Sequence, residues 1–160
     1  MAVSDILGKA PVLLDLEEST ELGVITRMLH LLQDRPEVTD PRKLERAVLE
    51  RQKLQPPLLG NGVALPHART PAVTEIVLAV GRCREAVPFG PEKTPIRLVF
   101  LYGVPAHCIA GYLAEVALLT RLLRKPGIIG GLLAAQDEAN LRRLAKPRPS
   151  RVSCWVRIRS

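Results

Sequence analysis

The chain has 160 residues, of which 47% are hydrophobic and 24% charged, with a formal net charge of +7. This length suits one domain with a real core, and the apolar share excludes a disordered chain. No apolar run is long enough to cross a bilayer, and the start, with Asp5 among its first residues, lacks the basic-then-apolar pattern of a secretory leader, so neither membrane insertion nor export is expected.

Ser4 is placed to cap a short opening helix over Asp5–Lys9. Val12–Leu16, just after Pro11, reads as the first strand. Ser19 or Thr20 caps the next helix, where Leu22, Ile25, Met28, Leu29 and Leu32 recur at helical spacing and His30 falls between them as a partly exposed residue. Arg35-Pro36 ends that helix, and Thr39 or Asp40 opens another with Pro41 at the favoured first position. Arg51 lies near its C-terminus, where an arginine can serve the helix dipole.

Gln55-Pro56-Pro57-Leu58 then leads into Gly60-Asn61-Gly62, a glycine turn feeding the short apolar strand Val63-Ala64-Leu65. Pro66 has no N–H for a ladder, so it ends the strand and puts His67 on the rim, where a histidine can be a nucleophile, a ligand or an ordinary surface residue. Thr74–Val80 and Ile96–Tyr102 read as strands, and the proline- and glycine-rich stretch between them as loop. A long helix follows over Ala110–Lys125, with Tyr112, Val116, Leu119 and Leu123 on one face and Leu113 and Ala117 adjoining. Two shorter helices cover Ile128–Ala135 and Asp137–Leu144. The order strand, two helices, three strands, then helices predicts an α/β fold with a mixed β-sheet flanked by helices.

Residues 1–145 form the expected domain, and 146–160 a basic, Pro/Arg-rich tail. Lys146–Ser150 has linker composition, and Val152–Ile158 is either a short strand or a tail ordered only on contact. Lys146, Arg148, Arg151, Arg157 and Arg159 all fall there, and the remaining body carries about +2, so the charge is no sign of a nucleic-acid partner for the domain. Cys83, Cys108 and Cys154 are odd in number and far apart, which points to a reducing, cytoplasmic setting without disulfides or a zinc site. No nucleotide-binding glycine loop with a following lysine is present and no metal-ligand spacing surrounds His67, so neither a cofactor nor a metal is expected.

Gly60-Asn61-Gly62-Val63-Ala64-Leu65-Pro66-His67-Ala68-Arg69 resembles the signature of the enzyme IIA domain of the fructose/mannitol class in the bacterial phosphotransferase system, which the nitrogen-regulatory enzyme IIA-like proteins share. Ser4–Leu7, Val12–Leu16, Leu49–Leu54, Val87–Gly90, Pro95–Leu101 and Leu132–Ala135 with Asp137-Glu138 extend the resemblance over residues 4–145. It implies the sandwich fold of that class and a phosphoryl relay: a histidine phosphocarrier protein as donor, His67 as acceptor, and an enzyme IIB domain or a regulated protein downstream. It also implies that Arg51 lies beside the active histidine and can contact phosphate, and that Gly60, Asn61, Gly62 and Tyr112 bind phosphate or support the site.

Two positions depart from the family. Gln55-Pro56-Pro57-Leu58 stands where the family usually has Ser/Thr-Thr-Gly, and its two prolines remove backbone N–H donors and hydroxyls from a phosphate cradle. Tyr112 stands where a second active-site histidine is common. A phenol can donate a hydrogen bond to a phosphate oxygen but brings no positive charge, and the apolar face of its helix points to a packing role. His107, in the loop before that helix, reads as a surface residue. With these departures the resemblance allows either a phosphocarrier, including a regulatory one, or a binding module of the same fold that is not phosphorylated.

Overall fold

The computed structural model describes residues 7–145. Ser4, the start of the opening helix, and the tail with its linker and candidate strand lie outside the described residues.

The sheet is mixed and six-stranded, formed by β1 (Val12–Leu16), β2 (Leu58–Gly60), β3 (Val63–Ala64), β4 (His67–Arg69), β5 (Val77–Phe89) and β6 (Thr94–Val104). Its order is β1-β5-β6-β3-β2, and β4 also pairs with β6. The β5–β6 and β2–β3 pairs are antiparallel; β1–β5, β3–β6 and β4–β6 are parallel.

Helices α1 (Glu21–Leu32) and α2 (Pro41–Leu54) cover one face. The Thr20 hydroxyl accepts from the Gly23 N–H at 3.0 Å, and Asp40 accepts from the Lys43 N–H at 3.1 Å, so each helix starts where a side chain satisfies a free donor. Val24, Ile25, Met28, Leu29 and Leu32 are buried from α1, which is the helical stripe read from the sequence. Helices α3 (Ile109–Leu123), α4 (Ile128–Ala134) and α5 (Glu138–Ala145) cover the other face. Leu119, Leu122 and Leu123 are buried from α3, whereas Leu113 is 60% exposed and Ala117 is exposed, outside the apolar face expected for them.

The structure corrects the sequence reading in two places. Of residues 81–95 only 90–93 form a turn: β5 begins at Val77, not Thr74, and runs on to Phe89, and β6 begins at Thr94, forming one long hairpin with a bulge between Arg82 and Val87. Val87, Phe89 and Ile96 are buried while Pro88 and Pro95, paired opposite one another, are exposed. That alternation is a strand signal, and the prolines stand at the outer end of the hairpin, where missing N–H groups are least costly. Pro66 does lie in a break between β3 and β4, as expected, but it does not end the pairing with β6. Ala64 pairs with Val99 and His67 with Tyr102, so the register continues unbroken across the proline. A proline keeps its acceptor, and the Pro66 carbonyl takes the Tyr102 N–H at 2.9 Å.

Candidate functional site

His67 opens β4 at an edge of the sheet. Strand β2 pairs with β3 only, so β4 has β6 as its partner on one side and is open on the other. The imidazole is therefore half-buried where the two helical layers meet. Its Nδ1 lies 2.9 Å from the Leu65 carbonyl oxygen. A carbonyl can only accept, so Nδ1 carries the proton and Nε2 keeps a lone pair. Burial lowers the His67 pKa below the ordinary 6.5; the Leu65 hydrogen bond opposes this, and the Arg51 charge adds to it. The ring is thus neutral and nucleophilic at pH 7.

An open depression of about 730 Å³ adjoins the ring, bordered by Glu50, Arg51, Lys53, Leu54 and Arg69. Three cations against one acid favour a dianionic group there. Arg51 lies at the end of α2 and borders the depression beside His67. Its Nη1 donates to the Gln55 carbonyl at 3.0 Å, satisfying an acceptor at the end of α2, while its charge acts on both His67 and Tyr112.

Tyr112 lies in the first turn of α3, and its ring centroid is 5.2 Å from that of His67, tilted by 31°. The expectation of mere packing on an apolar face is therefore incomplete, because β4 and α3 bring this ring against the candidate nucleophile. Burial pushes the Tyr112 hydroxyl up to about 12, with Arg51 opposing, so it stays protonated and can donate.

Gly60, Asn61 and Gly62 do not border the depression. They form the β2–β3 turn with φ of 87°, 53° and 77°, a left-handed run that suits glycine and asparagine. The Gly62 carbonyl accepts from Arg97 and Leu98 at 2.9 and 3.1 Å, which locks β3 to β6 and sets the register that puts His67 opposite Tyr102. Pro56 and Pro57 also lie off the depression, and the Pro57 carbonyl accepts from the Leu65 N–H at 2.8 Å. His107 and His30 are exposed and border neither the depression nor the ring pair.

The sequence reading gave no role to Arg69, Lys53, Tyr102 or Glu115. The first two carry a weak signal, as cations within two residues of His67 and Arg51. Glu115 carried a sharper one, an acid one turn after Tyr112 beside an apolar helix stripe. Among the described residues no group of His, Cys, Asp and Glu could hold a metal ion, and no helix is long and apolar enough to cross a membrane.

This fold is the one solved for enzyme IIA domains. The nitrogen regulatory protein IIA-Ntr of Neisseria meningitidis aligns with a TM-score of 0.79 at 25% identity, covering 91% of this chain and 99% of that one. The Escherichia coli mannitol enzyme IIA, solved in complex with phosphorylated enzyme IIB, aligns with a TM-score of 0.74 at 23% identity, covering 86% of this chain and 94% of that one. In sequence, the fructose-specific EIIA component of Haloferax volcanii is 32% identical over 142 residues, 86% of this chain and 92% of that protein. The fructose-specific EIIABC component of Bacillus subtilis is 27% identical over 139 residues, 86% of this chain, and the chain spans 22% of its length. Residues 5–146 match the family described as phosphoenolpyruvate-dependent sugar phosphotransferase system, EIIA 2, and the chain belongs to that family.

Proposed function

We propose that His67 accepts a phosphoryl group from a histidine phosphocarrier protein and passes it to an enzyme IIB domain, or signals by holding it to a regulated protein. The observation that carries this is the fixed tautomer: Nδ1 is held by the Leu65 carbonyl, which leaves Nε2 as the nucleophile beside a cationic depression. The Nε2 lone pair forms the new N–P bond as the donor's N–P bond breaks and its electrons return to the donor imidazole. The Nδ1 proton stays on the ring, and the Leu65 carbonyl stabilises the cationic phosphoimidazole.

Such a transition state is loose, so positioning and charge do most of the work. Arg51 and Arg69 offer guanidinium forks to the phosphoryl oxygens, Lys53 a point charge, and Tyr112 a neutral donor. The N–H groups in the first turn of α3, where Cys108 makes no side-chain cap, are further donors. The solved mannitol enzyme IIA assembles with a phosphorylated enzyme IIB, and a relative of known structure is nitrogen-regulatory, which supports both downstream fates for this chain.

The test is intact-mass spectrometry at alkaline pH after incubation with phosphoenolpyruvate, enzyme I and the host's phosphocarrier. A phosphate-sized gain in the native chain that disappears in His67→Ala is expected. No gain, with the upstream components active on another acceptor, overturns the carrier reading and leaves a binding module that keeps the fold without being phosphorylated.

A further inference from the structure

Glu115 is 3% exposed, an acid on the core side of α3. Its Oε1 is buried with no hydrogen-bond partner, and among the described residues no cation pairs with it. A buried carboxyl left this way is costly, and such a group calls for an explanation. Its neighbour is the Tyr102 hydroxyl from β6. Tyr102 is the strand partner of His67 and is itself almost fully buried. Its ring lies 5.6 Å from that of Tyr112, edge-on at 72°, and Tyr112 in turn packs on the imidazole. Glu115, Tyr102, Tyr112 and His67 thus form one continuous contact chain from the interior to the sheet edge.

We infer that Glu115 is a positioning residue for His67, acting through the Tyr102 hydroxyl to set the seat of the Tyr112 ring against the imidazole. The inference rests on the phosphoacceptor reading and deepens it, since Tyr112 is the neutral donor on that side of the ring. The two states of the carboxyl order the hydroxyls differently. Ionised, Glu115 only accepts, and Tyr102 must donate to it; protonated, Glu115 can donate, and the Tyr102 proton is free to turn to another acceptor. Burial raises Glu115 to about 7, with the Tyr102 hydroxyl holding it down, and burial keeps Tyr102 protonated well beyond that. The change therefore falls where His67 is already neutral. The group that bears on the carboxyl is Tyr102 from β6; Tyr112 stands one turn earlier on the same helix and bears on Tyr102, while Arg51 from α2 and His67 from β4 bear on Tyr112.

The test follows the His67 and Tyr112 ring resonances of the full chain by NMR from about pH 5 to about pH 9, in the native protein, Glu115→Gln and Tyr102→Phe. Two inflections are expected at His67 in the native chain, its own at acid pH and a second near neutrality. Glu115→Gln should lose the second and keep the first, and Tyr102→Phe, which tests the same link should the first variant not fold, should do likewise. A native chain with only the acid inflection, or a neutral inflection that survives either substitution, overturns the proposal. This readout needs no phosphoryl donor. A chain that shows the coupling yet takes up no phosphate at His67 sinks the phosphoacceptor reading and leaves the Glu115 link standing.

Discussion

The two faces of the sheet are closed in different ways. Under α1 and α2 the core is aliphatic apart from Phe89, Met28 and Cys83, and the helices bury apolar stripes, with Gln52 of α2 the one buried polar side chain on them. The face under α3, α4 and α5 holds Phe100 and Tyr102 and is pinned by buried or half-buried charge. Arg82, 8% exposed, donates to the Leu14 carbonyl at 2.9 Å and to the carbonyls of Leu132, Leu133 and Ala135 at 3.0, 3.2 and 2.6 Å, tying β5 to β1 and to the end of α4. Arg142 on α5 donates to the carbonyls of Leu7, Gly8 and Ala10 and pairs with Glu138. Helix α4 is seven residues long and carries two glycines, too little to hold its place by propensity alone. One face is thus held mainly by non-directional burial, with the Glu21 carboxylate accepting from Gln52 at 2.7 Å and from the Gly90 N–H at 2.9 Å at its rim. The other relies on directional bonds that cross the layer to main-chain carbonyls, and it is this face that brings Tyr112 against His67 with Glu115 buried behind it.

This contrast can be broken most severely at Arg82. Arg82→Met keeps the aliphatic stem but leaves several carbonyls without a donor, and the expected loss is on the order of 4 kcal/mol in urea unfolding. Hydrogen exchange should then quicken first in α4. Ile25→Ala, a cavity on the aliphatic face, should cost about 3 kcal/mol. Its signature should be uniform destabilisation without selective opening of α4.

Glu115 gives an effect that only the polar face can show. Its native pKa of about 7 lies above the ordinary 4.5, so the folded chain binds a proton that the unfolded chain has released. Stability must fall as pH rises between those values, by an amount on the order of 2 kcal/mol, and Glu115→Gln should flatten that slope in thermal or urea unfolding at pH 5 and pH 8. Arg51→Gln sharpens the site itself: without the guanidinium charge the His67 pKa should rise, and phosphate acceptance should fade at a higher pH than in the native chain. A ring titration by NMR reads this directly. Thr20→Ala, which removes the α1 cap, should cost about 1 kcal/mol and leave the site untouched.

Much of the fold could be read from local pattern. The stripe of α1, the Asp40–Pro41 start of α2 and the strand at Val12–Leu16 needed only periodicity and capping chemistry. The hairpin arms beyond Val80 and before Ile96 were hidden because Pro88, Gly90, Pro91 and Pro95 outweigh the alternation of Val87, Phe89 and Ile96 in any local reading. What rescues that stretch is pairing between the arms, together with the Glu21 carboxylate accepting from the Gly90 N–H at 2.9 Å, a contact from 69 residues away. Arg82 and Glu115 could not be placed for the same reason, since a charged residue in an apolar run reveals its partners only once distant carbonyls and hydroxyls meet it.

By itself the sequence determined the helical stripes, the glycine turn, the family signature and the histidine at its end, because each depends on residues within a turn or a strand of one another. Only the tertiary structure decided that pairing with β6 resumes in the same register after Pro66, that the glycine turn sets register and lies off the depression, and that Tyr112 meets His67 while Glu115 lies buried behind it. Those outcomes depend on which strand lies beside which and how a helix is pinned over them, and that is fixed by hydrogen bonds and burial between segments far apart in the chain.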